Sequence, residues 1–424
     1  MRLCFTILSI IFLSTSFGQG EWTLEQCIDS AMANNNGIRL SELDLGISEV
    51  NMRATNLNYM PSVNANATHG YNWGQTIDPF TNQFAANRVQ YNNFYLSSSL
   101  TLFSGLTNHY SRKIETIDYR ISGENLKRKK RSITLDIITA YLQVKLNSEL
   151  VKLREKHISY IKETIERDII LEELDYQTKK DRLESEAQKS KEEYQMILAL
   201  NDLRKASFLL QTLIGITPDS TFQLSDSISL EMSFNIDENL LQTLNTKRIL
   251  YENKQLKGRL LPTISINGSL GSGYSENNKF LTPNGELAPK PFDDQLSENF
   301  YQSLSATISI PIFSGANSYS QIKINQLEYQ QQLIRNEQHS IRRKNQLLEY
   351  HLDIENQKAA LESARKSFDA YTKLYEDSKI QFENGVIDYY TFIQVKDDFF
   401  NAESELVQSK YRLLFAEFIY MVYL

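Results

Sequence analysis

Proline is scarce, with 8 in 424 residues. Its rarity leaves room for very long helices, because proline removes a backbone donor and breaks the helical ladder. Neither Gly nor Pro stands between Gly123 and Gly215, between Gly315 and Gly385, or after Gly385. Cysteine is scarcer still: Cys4 and Cys27 are the only two. A disulfide-stapled fold is excluded, and neither residue follows a small-residue lipobox. The five histidines (69, 109, 157, 339 and 351) are scattered, with no two at zinc spacing supported by Cys or acid. No metal or cofactor is expected, no Ser/His/Asp arrangement stands out, and the reading is a non-enzyme. Past the N-terminus no stretch approaches 18 apolar residues, so no transmembrane helix is expected in the mature chain. The net charge of −7 gives no reason to expect nucleic acid as a partner.

What the chain does have, it has twice. Tyr59-Met60-Pro61-Ser62-Val63 opens one stretch and Leu260-Leu261-Pro262-Thr263-Ile264 opens another. Each leads into an alternating segment, a loop and a second alternating segment. The second segments end in the same tripeptide, Phe103-Ser104-Gly105 and Phe313-Ser314-Gly315. A repeat of this size implies internal pseudo-symmetry. Each unit supplies two strands and one long helical hairpin.

The N-terminus sets the compartment. Arg2 is a positive n-region, Leu3 to Leu13 a short apolar core, and Ser16-Phe17-Gly18 offers small residues to a signal peptidase. The expected segmentation is a signal peptide over 1–18, a first repeat over 19–214, a linker over 215–236 and a second repeat over 237–424.

Four segments alternate with period two. Val63, Ala65 and Ala67 alternate with Ser62, Asn64, Asn66 and Thr68. Leu96, Leu100 and Leu102 stand against Ser97, Ser99 and Thr101. Ile264 and Ile266 stand against Thr263, Ser265 and Asn267, and Leu304, Ala306, Ile308 and Ile310 against Ser303, Ser305, Thr307 and Ser309. Each strand thus has an apolar face and a nearly uncharged polar face. Tyr71, Trp73, Tyr91, Phe94, Tyr274 and Phe300 fall near the strand ends, as an interfacial belt requires. A half-buried sheet under a helix would show the same alternation; the signal peptide and aromatic ends favour a membrane barrel. A sheet in lipid must close, and four strands cannot. Two chains would give eight strands, with a lumen filled by side chains; three give twelve, enough for a pore. The long polar loops at 74–90 and 275–297 are then external, and the helical hairpins lie in the periplasm.

The helices carry most of the mass. One is expected from about Thr107 to Leu174 and its copy from Ala316 to Glu383, each near 100 Å long at ~1.5 Å per residue. Ile354, Leu361, Ala364, Phe368, Tyr371, Tyr375, Ser378 and Phe382 mark a heptad seam on the outgoing arm. Phe392, Val395, Phe399, Ala402, Leu406, Ser409, Leu413, Ala416 and Tyr420 mark one on the return arm. Such spacing packs the arms as a coiled coil. The second bend is Asn384-Gly385 with Asp388 as N-cap. The first is Leu174 to Gln177, capped by Thr178.

This order of elements resembles the TolC-type outer-membrane efflux proteins. Trp22-Thr23-Leu24-Glu25-Gln26-Cys27-Ile28, the Leu-Pro entry, the Phe-Ser-Gly exits and Asn384-Gly385 carry the resemblance, and Ile77-Asp78-Pro79 is similar to members from Bacteroidetes-type bacteria. The resemblance implies an α+β membrane protein: a homotrimer whose 12-stranded β-barrel stands in outer-membrane lipid on an α-helical periplasmic tunnel. It implies docking of the hairpin tips, through Asp175, Tyr176, Asn384, Gly385 and Val386, onto a periplasmic adaptor, and through it an inner-membrane pump. The family's acidic ring on the second return helix matches Thr391 and Gln394 here, which are neutral. Asp181 and Glu184 occupy the equivalent places in the first copy. They are candidates for the tunnel-mouth constriction, or ordinary acids near a helix N-terminus. The first tip has Asp175 where the second has Gly385, so adaptor docking is expected to be asymmetric. Asn239 to Pro262 spans 23 residues against 36 from Glu25 to Pro61, so the second repeat's leading helix is short. Lys127 to Arg131 and Arg342 to Lys344 read as a solvated basic band. The function expected is an export conduit of a tripartite efflux or type I secretion system. The alternative is a secreted or periplasmic coiled-coil scaffold with a soluble sheet.

Overall fold

A computed structural model describes residues 21–424 except 75, 79, 81, 83, 86–87, 175–178, 220–221, 227–235, 314–315 and 424. The expected signal peptide, the Thr178 cap, and the tip candidates Asp175 and Tyr176 lie outside the described residues. In chain order the helices are α1 (Leu24–Asn34), α2 (Asn36–Ala54), α3 (Thr107–Glu173), α4 (Lys179–Leu213), α5 (Glu238–Gly258), α6 (Phe292–Glu298), α7 (Asn317–Glu383) and α8 (Tyr389–Tyr423). The strands are β1 (Ser62–Asn72), β2 (Thr76–Ile77), β3 (Phe84–Ala85), β4 (Val89–Ser104), β5 (Thr263–Ser275), β6 (Lys279–Leu281), β7 (Leu287–Pro289) and β8 (Tyr301–Ser309). The helices α3 and α7 each run 67 residues, and the returns α4 and α8 each run 35, so the two hairpins are equal in length.

The chain divides into two compact units, each drawing on both repeats. One is formed by the described parts of Met1–Ser41, Leu126–Ile236 and Ile341–Leu424, the other by Glu42–Asn125 and Asp237–Ser340.

The second unit holds a four-stranded sheet in the order β1-β4-β5-β8, antiparallel throughout. The two repeats meet at β4 and β5. Their register puts like with like: Ala65 opposite Leu96, Leu96 opposite Leu270, Ile264 opposite Ile308. On the other face Asn64 meets Ser97, Ser97 meets Ser269 and Ser269 meets Ser303. A one-residue slip would exchange the faces, so the alternation pins the register. Leu102 departs from its expected place. A bulge separates the pairs Thr101–Ser265 and Phe103–Ile264, so Phe103 takes the apolar position and Leu102 is the extra residue.

Each strand pair is joined by a loop with structure of its own. The first contains the small hairpin β2–β3, the second the hairpin β6–β7 and the short helix α6. Turn-rich composition alone did not indicate that helix. Gln295 on α6 accepts from Ser275 N at 2.9 Å and donates to Ser275 O at 3.0 Å, completing the backbone of β5 where β8 has ended.

Between sheet and helix the repeats turn in the same way. Leu106 and Ala316 occupy equivalent places after Phe-Ser-Gly, and both have left-handed backbones, φ 65° and 59°. Gly105 has φ 63°, and a Cβ there would run into the carbonyl oxygen of Gly258. Only glycine fits so close an approach.

The first unit is helical. Leu24, Ile28, Ile137, Ile138, Leu210 and Ile214 are among its fully buried side chains, drawn from α1, α3 and the end of the first hairpin. Thr23 caps α1 through a reciprocal box, its hydroxyl accepting from Gln26 N at 3.2 Å while Gln26 Oε1 accepts from Thr23 N at 3.0 Å. Trp22 pairs with the linker at Leu224, and Tyr141 donates to Ser225 O at 3.1 Å. Cys27 is fully buried here, and burial pushes its thiol up to about 12. The heptad seams are in place, with Ile354, Ala364, Phe392, Phe399, Ala402 and Ser409 all buried.

A bare sheet and a buried polar cluster as candidate functional sites

The sheet is the first candidate site, because both its edges are unpaired among the described residues. β1 and β8 each have a neighbour on one side only. All nine residues of β8 are exposed. The apolar face is equally bare: Val63 is 60%, Leu304 82% and Ile308 65% exposed. An exposed edge of this length invites another strand, and an exposed apolar patch of this extent marks a membrane or protein contact. The expected covering helix of a half-buried sheet is not there among the described residues. The exception is α6, whose Phe292 packs edge-on against Phe94 at 6.3 Å near the loop end. The four strands contain no Asp, Glu, Lys or Arg. Their polar face is built from Ser, Thr, Asn, Gly and Tyr.

The second candidate site is at the hairpin tips. Gly385 turns the second hairpin with φ 71°. Its N–H donates to Phe382 O at 3.0 Å and that of Val386 to Gln381 O at 2.8 Å, the paired bonds of a Schellman end. Asp388 then caps α8, its carboxylate accepting from Thr391 N at 2.8 Å; the Thr391 hydroxyl, and after it this N–H, hold its pKa down. The expected bend and cap are therefore as read. Asn384, Gly385 and Val386 are all exposed.

Above this turn α8 is buried on two faces. The seam read from the sequence faces α7: Phe392 stacks on Phe382 at 4.9 Å and Phe399 on Tyr375 at 5.0 Å. A second stripe was not read. Tyr389, Lys396 and Phe400 are buried against the first hairpin. Phe400 stacks on His157 of α3 at 3.7 Å. Lys396 is 1% exposed and donates to Thr164 Oγ1 at 2.9 Å. Asp168 of α3 is fully buried and accepts from Ser185 Oγ of α4 at 2.7 Å, and the same hydroxyl meets Tyr389 Oη. Arg167 approaches Asp168 and Glu383 at 3.8 Å and lies over the Phe382 ring.

Burial governs the charges in this cluster. Loss of water pulls the Lys396 ammonium down to about 8, with nearby Arg167 acting in the same direction. Desolvation raises the Asp168 carboxyl, opposed by its bond from Ser185 and the charge of Arg167. Tyr389 is raised by burial and by the neighbouring Asp168.

The residues singled out from the sequence lie on the same two helices, α4 and α8, as Ser185, Tyr389 and Lys396. Asp181 and Glu184 lie in the first turns of α4, just before Ser185, and Glu184 lies 3.5 Å from Lys180. Thr391 and Gln394 lie in the first turns of α8 and are exposed. Lys396, Asp168 and Ser185 were missed. A lysine or aspartate inside a long charged helix reads as solvated, and only the buried stripe Tyr389–Lys396–Phe400 hinted otherwise. Among the described residues, no group of acidic, histidine or cysteine side chains is placed to hold a metal, and no helix is long and apolar enough to cross a membrane.

Residues 243–418 match the model of the outer membrane efflux protein family. No curated protein sequence matches the chain. Among solved structures it shares its fold with the outer membrane protein VceC of Vibrio cholerae, at TM-score 0.78 and 12% identity over 94% of this chain and 95% of that one. The Campylobacter jejuni outer membrane channel CmeC is similar at TM-score 0.77 and 14% identity, over 94% and 84%. The open state of the Neisseria gonorrhoeae outer membrane channel MtrE is similar at TM-score 0.70 and 18% identity, over 94% and 88%. The resemblance read from the sequence thus holds in the second repeat, and the chain shares the fold of these outer-membrane proteins over 94% of its length. CmeC and MtrE are outer membrane channels.

Proposed function

We propose that this chain is the outer-membrane channel subunit of a tripartite export system. Three copies close a 12-stranded barrel in the outer membrane of a Gram-negative bacterium, with the helical mass in the periplasm. The observation that carries this reading is the sheet: four antiparallel strands, two open edges, a bare apolar face and an uncharged polar face. Because four is even, β8 of one copy meets β1 of the next in antiparallel fashion, so copies continue the same ladder until it closes. The apolar face then meets lipid and the polar face lines water.

The conduit is passive. Energy for transport comes from an inner-membrane pump, reached through a periplasmic adaptor at the hairpin tips. Asn384, Gly385 and Val386, with Asp175 and Tyr176 of the first tip, are the docking candidates. Asp181, Glu184, Thr391 and Gln394 are the candidates for the constriction at the tunnel mouth. The cluster of Asp168, Ser185, Tyr389 and Lys396 ties α8 to the first hairpin, so any widening of the mouth that moves α8 must break it.

The direct test is extraction from membranes followed by mass measurement. The expected result is a detergent-dependent trimer that inserts into planar bilayers. A monodisperse single copy that needs no detergent would sink the proposal. That outcome would favour a periplasmic scaffold instead.

A further inference from the structure

The polar face of the sheet is not uniform along the strands, and its change has a regular form. In the lower rows small side chains face one another across all four strands, as in Asn64–Ser97–Ser269–Ser303. Toward the loop end the next row on the same face reads Asn66–Tyr95–Gly271–Tyr301. Two rows further, Gly70 stands opposite Tyr91.

The glycines and tyrosines are fitted to each other. A Cβ on Gly271 would lie 2.6 Å from Tyr301 Cζ, and one on Gly70 would lie 2.7 Å from Tyr91 Oη. Each ring therefore reaches over the neighbouring strand, into the space a side chain would have filled. Phe80 covers Gly273 in the same way. The rings shield the bare glycine backbone, which accounts for the burial of Gly271 and Gly273. Their outer faces remain available: Tyr301 is 42% exposed.

From this arrangement we infer that the loop end of the polar face is a binding collar for a neutral saccharide. The inference rests on the proposed channel, in which this face lines the lumen and the row repeats around the cylinder. A pyranose ring offers a face of polarised C–H groups, which stack on the negative face of a tyrosine ring. Its hydroxyls require donors and acceptors of both kinds, which Asn66 and Asn64 amides and the Ser97 and Ser269 hydroxyls supply. The four strands carry no Asp, Glu, Lys or Arg, so the rows named here hold no charged side chain to pair with a charged ligand. The chemistry left is stacking plus neutral hydrogen bonding.

Saturation-transfer NMR of the purified trimer with maltohexaose, in an amine-oxide detergent free of sugar headgroups, tests this. Transfer to the pyranose C–H protons is expected. The pair Tyr95→Leu and Tyr301→Leu keeps the glycine covered but removes the rings, and should reduce the transfer at least about five-fold. The pair Tyr95→Phe and Tyr301→Phe should retain it within about two-fold. No transfer to maltohexaose in a wild-type trimer would overturn the collar and leave the channel standing. Equal transfer in the leucine pair would also overturn it. A detergent-free monomer by mass would remove the channel and the collar together.

Discussion

Lys396 of α8 donates to Thr164 of α3 at 2.9 Å, one helical turn from the buried carboxylate of Asp168. A charged lysine at that depth opposes the packing it belongs to, and this makes the tip sensitive to pH. The unfolded lysine holds its proton to its ordinary value of 10.5, the folded one only to about 8. Below 8 both states are protonated and the stability contribution is flat. Between 8 and 10.5 the unfolded state binds more protons, so stability rises with pH, by at most on the order of 3 kcal/mol. Asp168 has the opposite slope: its raised pKa means stability falls as pH climbs from 3.8 through the folded value. Packing of α8 on the first hairpin is therefore weaker when both Asp168 and Lys396 are charged than when either is neutral. Hydrogen-exchange protection factors of residues 389–400, corrected for the intrinsic rise of exchange with pH, should increase above pH 8, and Lys396→Met should abolish that increase.

Tyr389 and Asp168 are joined through the hydroxyl of Ser185. Tyr389→Phe removes one buried hydrogen bond, worth about 1 kcal/mol. If the tips gate the channel, the open fraction in planar bilayers should rise about five-fold. Unchanged conductance would detach this cluster from gating.

The two faces of β8 should differ in what reaches them. A cysteine at Ser305 is expected to react with a water-borne thiol reagent and one at Ile308 with a lipid-borne reagent. Cys27 does not interfere, since burial keeps its thiol protonated. Leu304→Arg, on the lipid side, should cost about 2–4 kcal/mol at mid-membrane and lower the yield of assembled trimer. The reverse labelling pattern would overturn the register.

Gly105 and Gly385 both have positive φ but predict different outcomes. At Gly105 an added methyl meets the backbone of Gly258, so Gly105→Ala should abolish folding or lower Tm steeply. Nothing lies within 4 Å of a methyl at Gly385. Gly385→Ala should therefore cost only about 1 kcal/mol, the conformational part. Thermal melts of the two variants compare them directly.

Some of this architecture follows from the chain alone. Period-two alternation fixes which side of each strand is apolar, whatever the strands pair with. The lack of Gly and Pro sets the 67-residue helices, and Asn384-Gly385 with Asp388 sets their turn, because these are local steric and hydrogen-bonding effects. Tertiary structure alone decided that β4 pairs with β5 across the two repeats, and that Tyr301 and Tyr91 lie over glycines. It also decided that Lys396, Asp168 and Ser185 are buried where α8 packs on the first hairpin. Those are long-range relationships: a buried lysine and a solvated one have the same neighbours in sequence, and differ only in what the other helices place around them.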